Sequence, residues 1–316
     1  RMAERAGIEH RFSVLSPAED RSEGALDADG FYRLGRFPDT ATRMKLFEDR
    51  APVLAAQAVE KLLEGEDRSR ITHLVVTSCT GLSAPGIDLE LIARCGLPGT
   101  IERSFVGFMG CYAAINGLKL ARHIVRSEPR ARVLAVNLEL CTLHLRETEK
   151  LEEMLTFLLW GDGCAAALVS AEARGAAMDS FHAALVPQTN DLMRWHIRDQ
   201  GFDMVLSGAV PAAIQGALAG SGEAILRGRK PEDIALWAVH PGGRTVLDAV
   251  EQAFALKPEE LAVSRSVLRD YGNMSSGTVM FVLERLMQQA PAGAPGCAMA
   301  FGPGLVAETM QFHMAA

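Results

Sequence analysis

Six short runs of β-branched and small apolar residues, at 72–77, 132–138, 164–170, 181–186, 234–239 and 296–301, are bounded by turns and separated by stretches of helical periodicity. That alternation restricts the chain to an α/β fold, because strands of this kind bury both faces only when helices cover the sheet. Two helical stretches have different surroundings. Residues 41–63 carry Leu46, Val53, Leu54 and Leu62 among charges and stop near Gly65, which predicts an outer amphipathic helix. Residues 275–289 are almost continuously apolar through Val279-Met-Phe-Val-Leu and Leu286-Met, which predicts a helix buried on most sides at the centre of a layered fold. Between 170 and 179 the apolar period lapses into Ala, Glu, Arg and Gly, dividing the chain into halves 1–174 and 175–316. Each half has strands, a helix and a glycine-rich corner. No strict repeat relates them, so the pattern suggests a duplicated architecture without establishing one.

Bulk properties remove several classes of function. A net charge of −7, with no stretch mixing clustered Lys/Arg and aromatics, argues against a nucleic-acid surface. No apolar run approaches the roughly 18 residues of a membrane span. The six cysteines, at 79, 95, 111, 141, 164 and 297, form neither a CxxC pair nor a Cys/His spacing suited to zinc, so no metal is expected. Reduced thiols in a cytoplasmic enzyme fit better, with Cys95 and Cys297 as packing residues. The chain opens at Arg1 as though partway through a helix, and upstream residues are expected.

Chemistry concentrates at three places. Cys111 follows a glycine-bearing turn, Ser104-Phe-Val-Gly-Phe-Met-Gly-Cys, and opens a segment in which Ile115, Leu118, Ala121 and Ile124/Val125 recur at helical spacing. A thiol at a helix N-terminus is expected to favour the thiolate, the form that attacks thioesters. His240 ends the apolar run from Ile234 and is followed by Pro-Gly-Gly, at the kind of strand end where α/β sites form. Asn273 lies in Tyr271-Gly-Asn-Met-Ser-Ser-Gly, just before the buried helix. Singly, each residue has an ordinary role: a buried thiol, a satisfied histidine, a helix cap. Together they are a nucleophile, its imidazole partner and a neutral donor for a developing oxyanion.

These residues also carry a resemblance. Gly110-Cys-Tyr-Ala-Ala, Trp160-Gly-Asp-Gly-Cys-Ala-Ala-Ala-Leu, His240-Pro-Gly-Gly, Gly272-Asn-Met-Ser-Ser and Phe301-Gly-Pro-Gly-Leu-Val-Ala-Glu-Thr occur in the order found in the chalcone synthase superfamily of type III polyketide synthases. The chain resembles its bacterial members. The resemblance implies a thiolase-like fold, a duplicated five-layer αβαβα architecture whose halves meet at the catalytic residues Cys111, His240 and Asn273. It implies iterative decarboxylative condensation of malonyl-CoA onto an acyl-CoA starter held on Cys111. CoA thioesters are then substrates, and no cofactor is needed. It implies a homodimer with Ala84-Pro85-Gly86 near the two-fold axis. By the same likeness Arg1 and Arg5 fall at CoA-phosphate positions, and Gly242 and Gly243 lie along the pantetheine path. Cys79, Glu139, Cys141, His144, Trp160, Trp195, Met204 and Ser275 fall at positions lining the cavity. Apolar, cysteine-rich walls suit a fatty-acyl starter and an alkylpyrone or alkylresorcinol product. A tetrahydroxynaphthalene-type synthase, a single-condensation ketoacyl-ACP synthase III-like enzyme and, more remotely, a silent scaffold of the same fold are the alternatives.

Overall fold

The structure, a computed structural model, describes residues 6–20 and 23–316; Arg1 and Arg5 lie outside the described residues. Its first sheet contains β1 (His73–Ser78), β2 (Glu102–Gly107), β3 (Val133–Leu140) and β4 (Asp162–Val169) in the order β2-β1-β3-β4. β1 runs parallel to both neighbours and β4 is antiparallel to β3. The second sheet contains β5 (Ala176–Leu185), β8 (Leu236–Val239), β9 (Pro295–Gly302) and β10 (Val306–Met314) in the order β5-β10-β9-β8. A separate hairpin pairs β6 (Met193–Arg198) with β7 (Gly201–Leu206).

Strand periodicity sorts side chains into layers. Leu74, Val76, Leu134 and Val136 point one way, into a core with Phe47, Ala51, Ala55 and Val59 of α1 (Thr40–Leu62) and Leu91 of α2 (Ile87–Arg94). The intervening Val75 and Val133 point the other way, toward α3 (Ala113–Ser127) and α8 (Thr278–Gln289). From the far side the same central layer receives Ala238, Ala298, Ala300, Met310 and Phe312 of the second sheet. Trp237, Val239, Cys297, Met299 and Phe301 face outward onto α5 (Val210–Leu226) and α6 (Arg244–Phe254). Helices, sheet, helices, sheet, helices: this is the five-layer αβαβα sandwich of the thiolase-like fold. Small side chains on the inner sheet faces let α3 and α8 approach closely. Two further helices, α4 (Leu151–Phe157) and α7 (Ala262–Tyr271), flank the seam between the halves.

The six expected strands are present, and β5 begins earlier, at Ala176. Four strands carry no apolar run in the sequence: β2, β6, β7 and β10. β2 is an exposed edge that opens Glu-Arg-Ser. β10 is buried although it contains Glu308, which the Lys119 ammonium neutralises at 3.0 Å. The buried stripe of α1 also differs from the expected one. It runs Phe47, Ala51, Ala55, Val59, at four-residue spacing, while Val53 is exposed, because small alanines allow the helix to lie close against the sheet. Among the described residues no helix is long and apolar enough to cross a membrane.

Gly296 pairs with Phe312 across β9 and β10, and a Cβ there would lie 2.2 Å from the Phe312 ring. Gly296→Ala should therefore lower stability by roughly 1–3 kcal/mol, read as a shift in the urea midpoint. An unchanged midpoint would show that the Phe312 ring has room to move.

Candidate active site

Three loops converge where the halves meet. After β2 the chain turns through Gly110, at φ +81°, into Cys111 and then α3. Only glycine suits this turn, since a Cβ would sit 2.2 Å from Pro303 Cδ. Cys111 is 5% exposed, and its Sγ lies 3.7 Å from Ser275 Oγ. His240 follows β8, anchored by its backbone N–H to Met299 O at 2.8 Å, and is 1% exposed. Among the described residues neither of its buried ring nitrogens has a hydrogen-bond partner. Asn273 follows α7 through Gly272, at φ +69°. Its side-chain Oδ1 accepts from Ser275 N at 2.9 Å, and Nδ2 donates to Gly242 O at 3.1 Å. Gly242 N in turn donates to His240 O at 3.0 Å. A continuous chain of contacts thus runs from the thiol through Ser275, Asn273 and Gly242 to the His240 loop. Gly243 supplies the residue before α6.

The charge state differs from the expected thiolate. Burial pushes the Cys111 thiol up to about 12, and this outweighs the downward effect of the hydrogen bond with Ser275; the nearby Glu139 carboxylate also pushes upward. Burial likewise takes His240 down to about 3. Both groups therefore rest neutral. The helix field falls off within a turn, and Cys111 precedes the first residue of α3 by two positions. Desolvation is the larger effect.

Beside the thiol lies a small cavity of about 30 Å³. Seven of the expected pocket residues line it: Cys79, Cys141, His144, Trp160, Trp195, Met204 and Ser275. Trp195 and Met204 are cross-strand partners on the β6–β7 hairpin. The indole Nε1 of Trp195 donates to Cys79 O at 2.7 Å, fixing it as a wall. His144 donates from Nε2 to Thr80 O at 2.7 Å, accepts from Phe202 N at Nδ1 at 3.0 Å, and stacks on the Phe202 ring at 4.1 Å. With burial lowering its pKa to about 3, His144 is a neutral wall.

Glu139 is the exception among these positions. It lies behind the wall rather than on it, where Oε2 accepts from Cys79 N and Thr80 Oγ1, each at 2.9 Å, and Oε1 from Ser276 Oγ at 2.6 Å. A carboxylate on an apolar lining would lack these donors. The sequence reading missed Thr80, Phe157 and Pro303 as lining residues. Thr80 follows Cys79, and Pro303 lies within the Phe301-Gly-Pro-Gly motif; Phe157 carries no local signal.

A buried thiol, an unpartnered imidazole and a held amide at the junction of two sheet-and-helix halves define the class of thiolase-fold acyltransferases. Within that class the chain belongs to the chalcone and stilbene synthase family, the type III polyketide synthases. The family's N-terminal domain model matches residues 1–173 and its C-terminal domain model residues 177–315. The chain is 34% identical over 286 residues to the alpha-pyrone synthesis polyketide synthase-like Pks18 of Mycobacterium tuberculosis, covering 86% of this chain and 73% of that one. It is 33% identical over 304 residues to bisdemethoxycurcumin synthase of Oryza sativa subsp. japonica, covering 87% and 74%. Among solved structures, 1,3,6,8-tetrahydroxynaphthalene synthase from Streptomyces coelicolor superposes with a TM-score of 0.88 at 27% identity, over 100% of this chain and 89% of that one.

Burial outweighs the three hydrogen bonds and raises the Glu139 pKa from 4.5 to about 7. Between those values the folded state keeps a proton that the unfolded chain releases, so stability falls as pH rises through this window. Glu139→Gln should remove that slope, improving relative to the parent by on the order of 2–3 kcal/mol between pH 5 and pH 8. Chemical denaturation at both pH values checks this. An identical difference at each would mean that Glu139 does not titrate in the window.

Proposed function

We propose that Cys111 is the acyl-carrying nucleophile, with His240 and Asn273 as the groups that stabilise and steer the condensation. The observation that carries this reading is the neutral His240 ring, buried beside the Asn273–Gly242 hydrogen bond with neither nitrogen partnered among the described residues. Buried polar atoms left open are costly, and a substrate that enters supplies their partners.

The steps follow from the resting protonation states. His240 takes the Cys111 proton as the sulfur attacks the carbonyl of an acyl-CoA; the tetrahedral adduct collapses, and the departing CoA thiolate takes that proton back. Neutral His240 then has an N–H to donate to the thioester oxygen of malonyl-CoA. Asn273 Nδ2 offers a second donor, since one of its two hydrogens is free of the Gly242 bond. As the carboxylate leaves as CO₂, its bonding electrons become the enolate that these donors stabilise. The enolate carbon attacks the acyl-Cys carbonyl and expels the Cys111 thiolate, which takes up one proton from solvent to restore the resting thiol, giving a chain two carbons longer on CoA. The cycle requires only CoA thioesters. The Gly242-Gly243 loop suits the pantetheine arm, and Arg1 and Arg5 are assigned to the CoA phosphates.

The starter is a fatty acyl-CoA and the product an alkylpyrone or alkylresorcinol. Support comes from the apolar wall of Phe157, Trp160, Trp195 and Met204 with Cys79 and Cys141, and from the likeness to a relative named for alpha-pyrone synthesis. The working unit is a homodimer in the cytoplasm. β2 is an exposed sheet edge; its own Phe105 and the nearby Leu82 expose 42% and 44% of their surface, an apolar edge that a second copy would cover.

Cys111→Ala should abolish acyl loading, seen as loss of the mass adduct with acyl-CoA, while malonyl-CoA decarboxylation persists. Asn273→Ala should do the reverse, slowing decarboxylation by about 10²-fold with loading intact. Acyl-CoAs of graded length with malonyl-CoA, analysed by mass, read out the starter. Extension confined to short or aromatic starters would overturn the fatty-acyl assignment.

A further inference from the structure

We infer that Arg11 is a positioning residue for this condensation, holding Trp160 and Asn273 in register across the seam; the inference rests on the function proposed above. The segment around Trp160 and the segment around Asn273 belong to opposite halves and meet through a single parallel backbone bridge. Asn273 N donates to Leu159 O at 2.7 Å, and Gly161 N donates to Asn273 O at 3.0 Å. Two hydrogen bonds therefore set where the cavity wall stands relative to the amide.

Arg11 straddles that bridge. Its Nη1 donates to Phe157 O at 2.8 Å and to Trp160 O at 3.2 Å. Phe157 is the last residue of α4, so its carbonyl is one of those a helix end leaves open, at the negative end of the helix dipole. The aliphatic stem passes over the Asn273 side of the bridge: a Cβ on Gly272 would lie 2.9 Å from Arg11 Cγ, and one on Gly161 would lie 3.7 Å from Arg11 Cβ. Among the described residues Arg11 forms no ion pair with a carboxylate, and burial of its guanidinium lowers its pKa from the ordinary arginine value. The side chain stays in contact with solvent, and the hydrogen bonds it donates to protein go to two main-chain carbonyls. The strand of chain that carries it is itself fastened to both halves. Glu9 N and His10 N donate to Arg269 O of α7, Asp162 N of β4 donates to Phe12 O, and Val14 N donates to Asp162 Oδ2.

A small shift of the bridge would move the Asn273 donor relative to the enolate oxygen while leaving Cys111, on a different loop, in place. Arg11→Met keeps the stem and removes both hydrogen bonds; Arg11→Lys keeps a donor that can reach them. The expected result for Arg11→Met is unchanged acyl loading of Cys111, with malonyl-CoA decarboxylation reduced about 10- to 100-fold, since misplacement by an ångström costs on that order. Arg11→Lys should recover most of the loss. Loading and decarboxylation falling in parallel, or neither changing, would overturn the inference. If Arg11→Met fails to fold, Arg11→Gln, whose shorter side chain cannot span both carbonyls, decides by the same ratio: a selective fall in decarboxylation supports the role, and a parallel fall or no change refutes it. A parent protein that neither loads acyl-CoA nor decarboxylates malonyl-CoA would count instead against the function itself.

Discussion

The two backbone hydrogen bonds between Asn273 and the residues flanking Trp160 govern this site. They are the point at which the two halves become one catalytic unit. Everything nearby is shaped to allow them. Gly272 has a left-handed φ, and a Cβ there would lie 2.8 Å from Leu159 O. A Cβ on Gly161 would lie 2.8 Å from Tyr271 O. Once the bridge is made, Asn273 caps Ser275 N, the Ser275 hydroxyl faces the Cys111 sulfur, and α8 continues into the central layer. A helix of the central layer thus begins at the site, which ties the position of the amide to the packing of the core.

Burial at this seam decides how the chemistry starts. An isolated thiolate or imidazolium is unfavourable there, which is why both groups rest neutral. In the cycle proposed above, moving a proton from Cys111 to His240 creates two charges whose sum is zero, and the pair is stabilised by mutual attraction in a medium that screens poorly. The nucleophile is therefore generated at the moment of need. A dry resting site also limits stray oxidation, because susceptibility of a thiol follows its thiolate character and exposure.

The layers were legible in the sequence because strands that bury both faces are mostly apolar, and β1, β3, β8 and β9 are, with only isolated polar residues such as Thr77, Asn137 and Glu139 among them. α8 was legible for the same reason. β2 and β10 were not: an edge strand has no pattern to display, and Glu308 in β10 is buried only because Lys119 arrives from another element. The same distinction separates the site residues. Cys111, His240 and Asn273 each sit beside glycines that a sharp turn requires, so the local sequence marks them. The three donors to Glu139 come from Cys79, Thr80 and Ser276, distant in sequence, so neither its place behind the wall nor its raised pKa could be read from its neighbours. Arg11 carries no local signal at all; its partners are main-chain carbonyls, which every residue has.

Where specificity can vary follows from which parts of the site hang on the bridge and which do not. Trp195 and Met204 stand on the β6–β7 hairpin, a sheet of its own, outside both four-stranded sheets. The hairpin packs Met193, Met204 and Leu206 into the second core, and its polar contacts with the rest include Trp195 Nε1 to Cys79 O, Phe202 N to His144, Gly201 N to Thr40 Oγ1, Gly304 N to Met193 O and the Arg146–Asp203 ion pair. None of these passes through Cys111, His240 or Asn273. A change in hairpin side chains can therefore reshape the cavity without disturbing the seam, whereas a change at Trp160 cannot, because its backbone is part of the bridge. Two of the walls are free to follow the substrate, and the third is held by the chemistry.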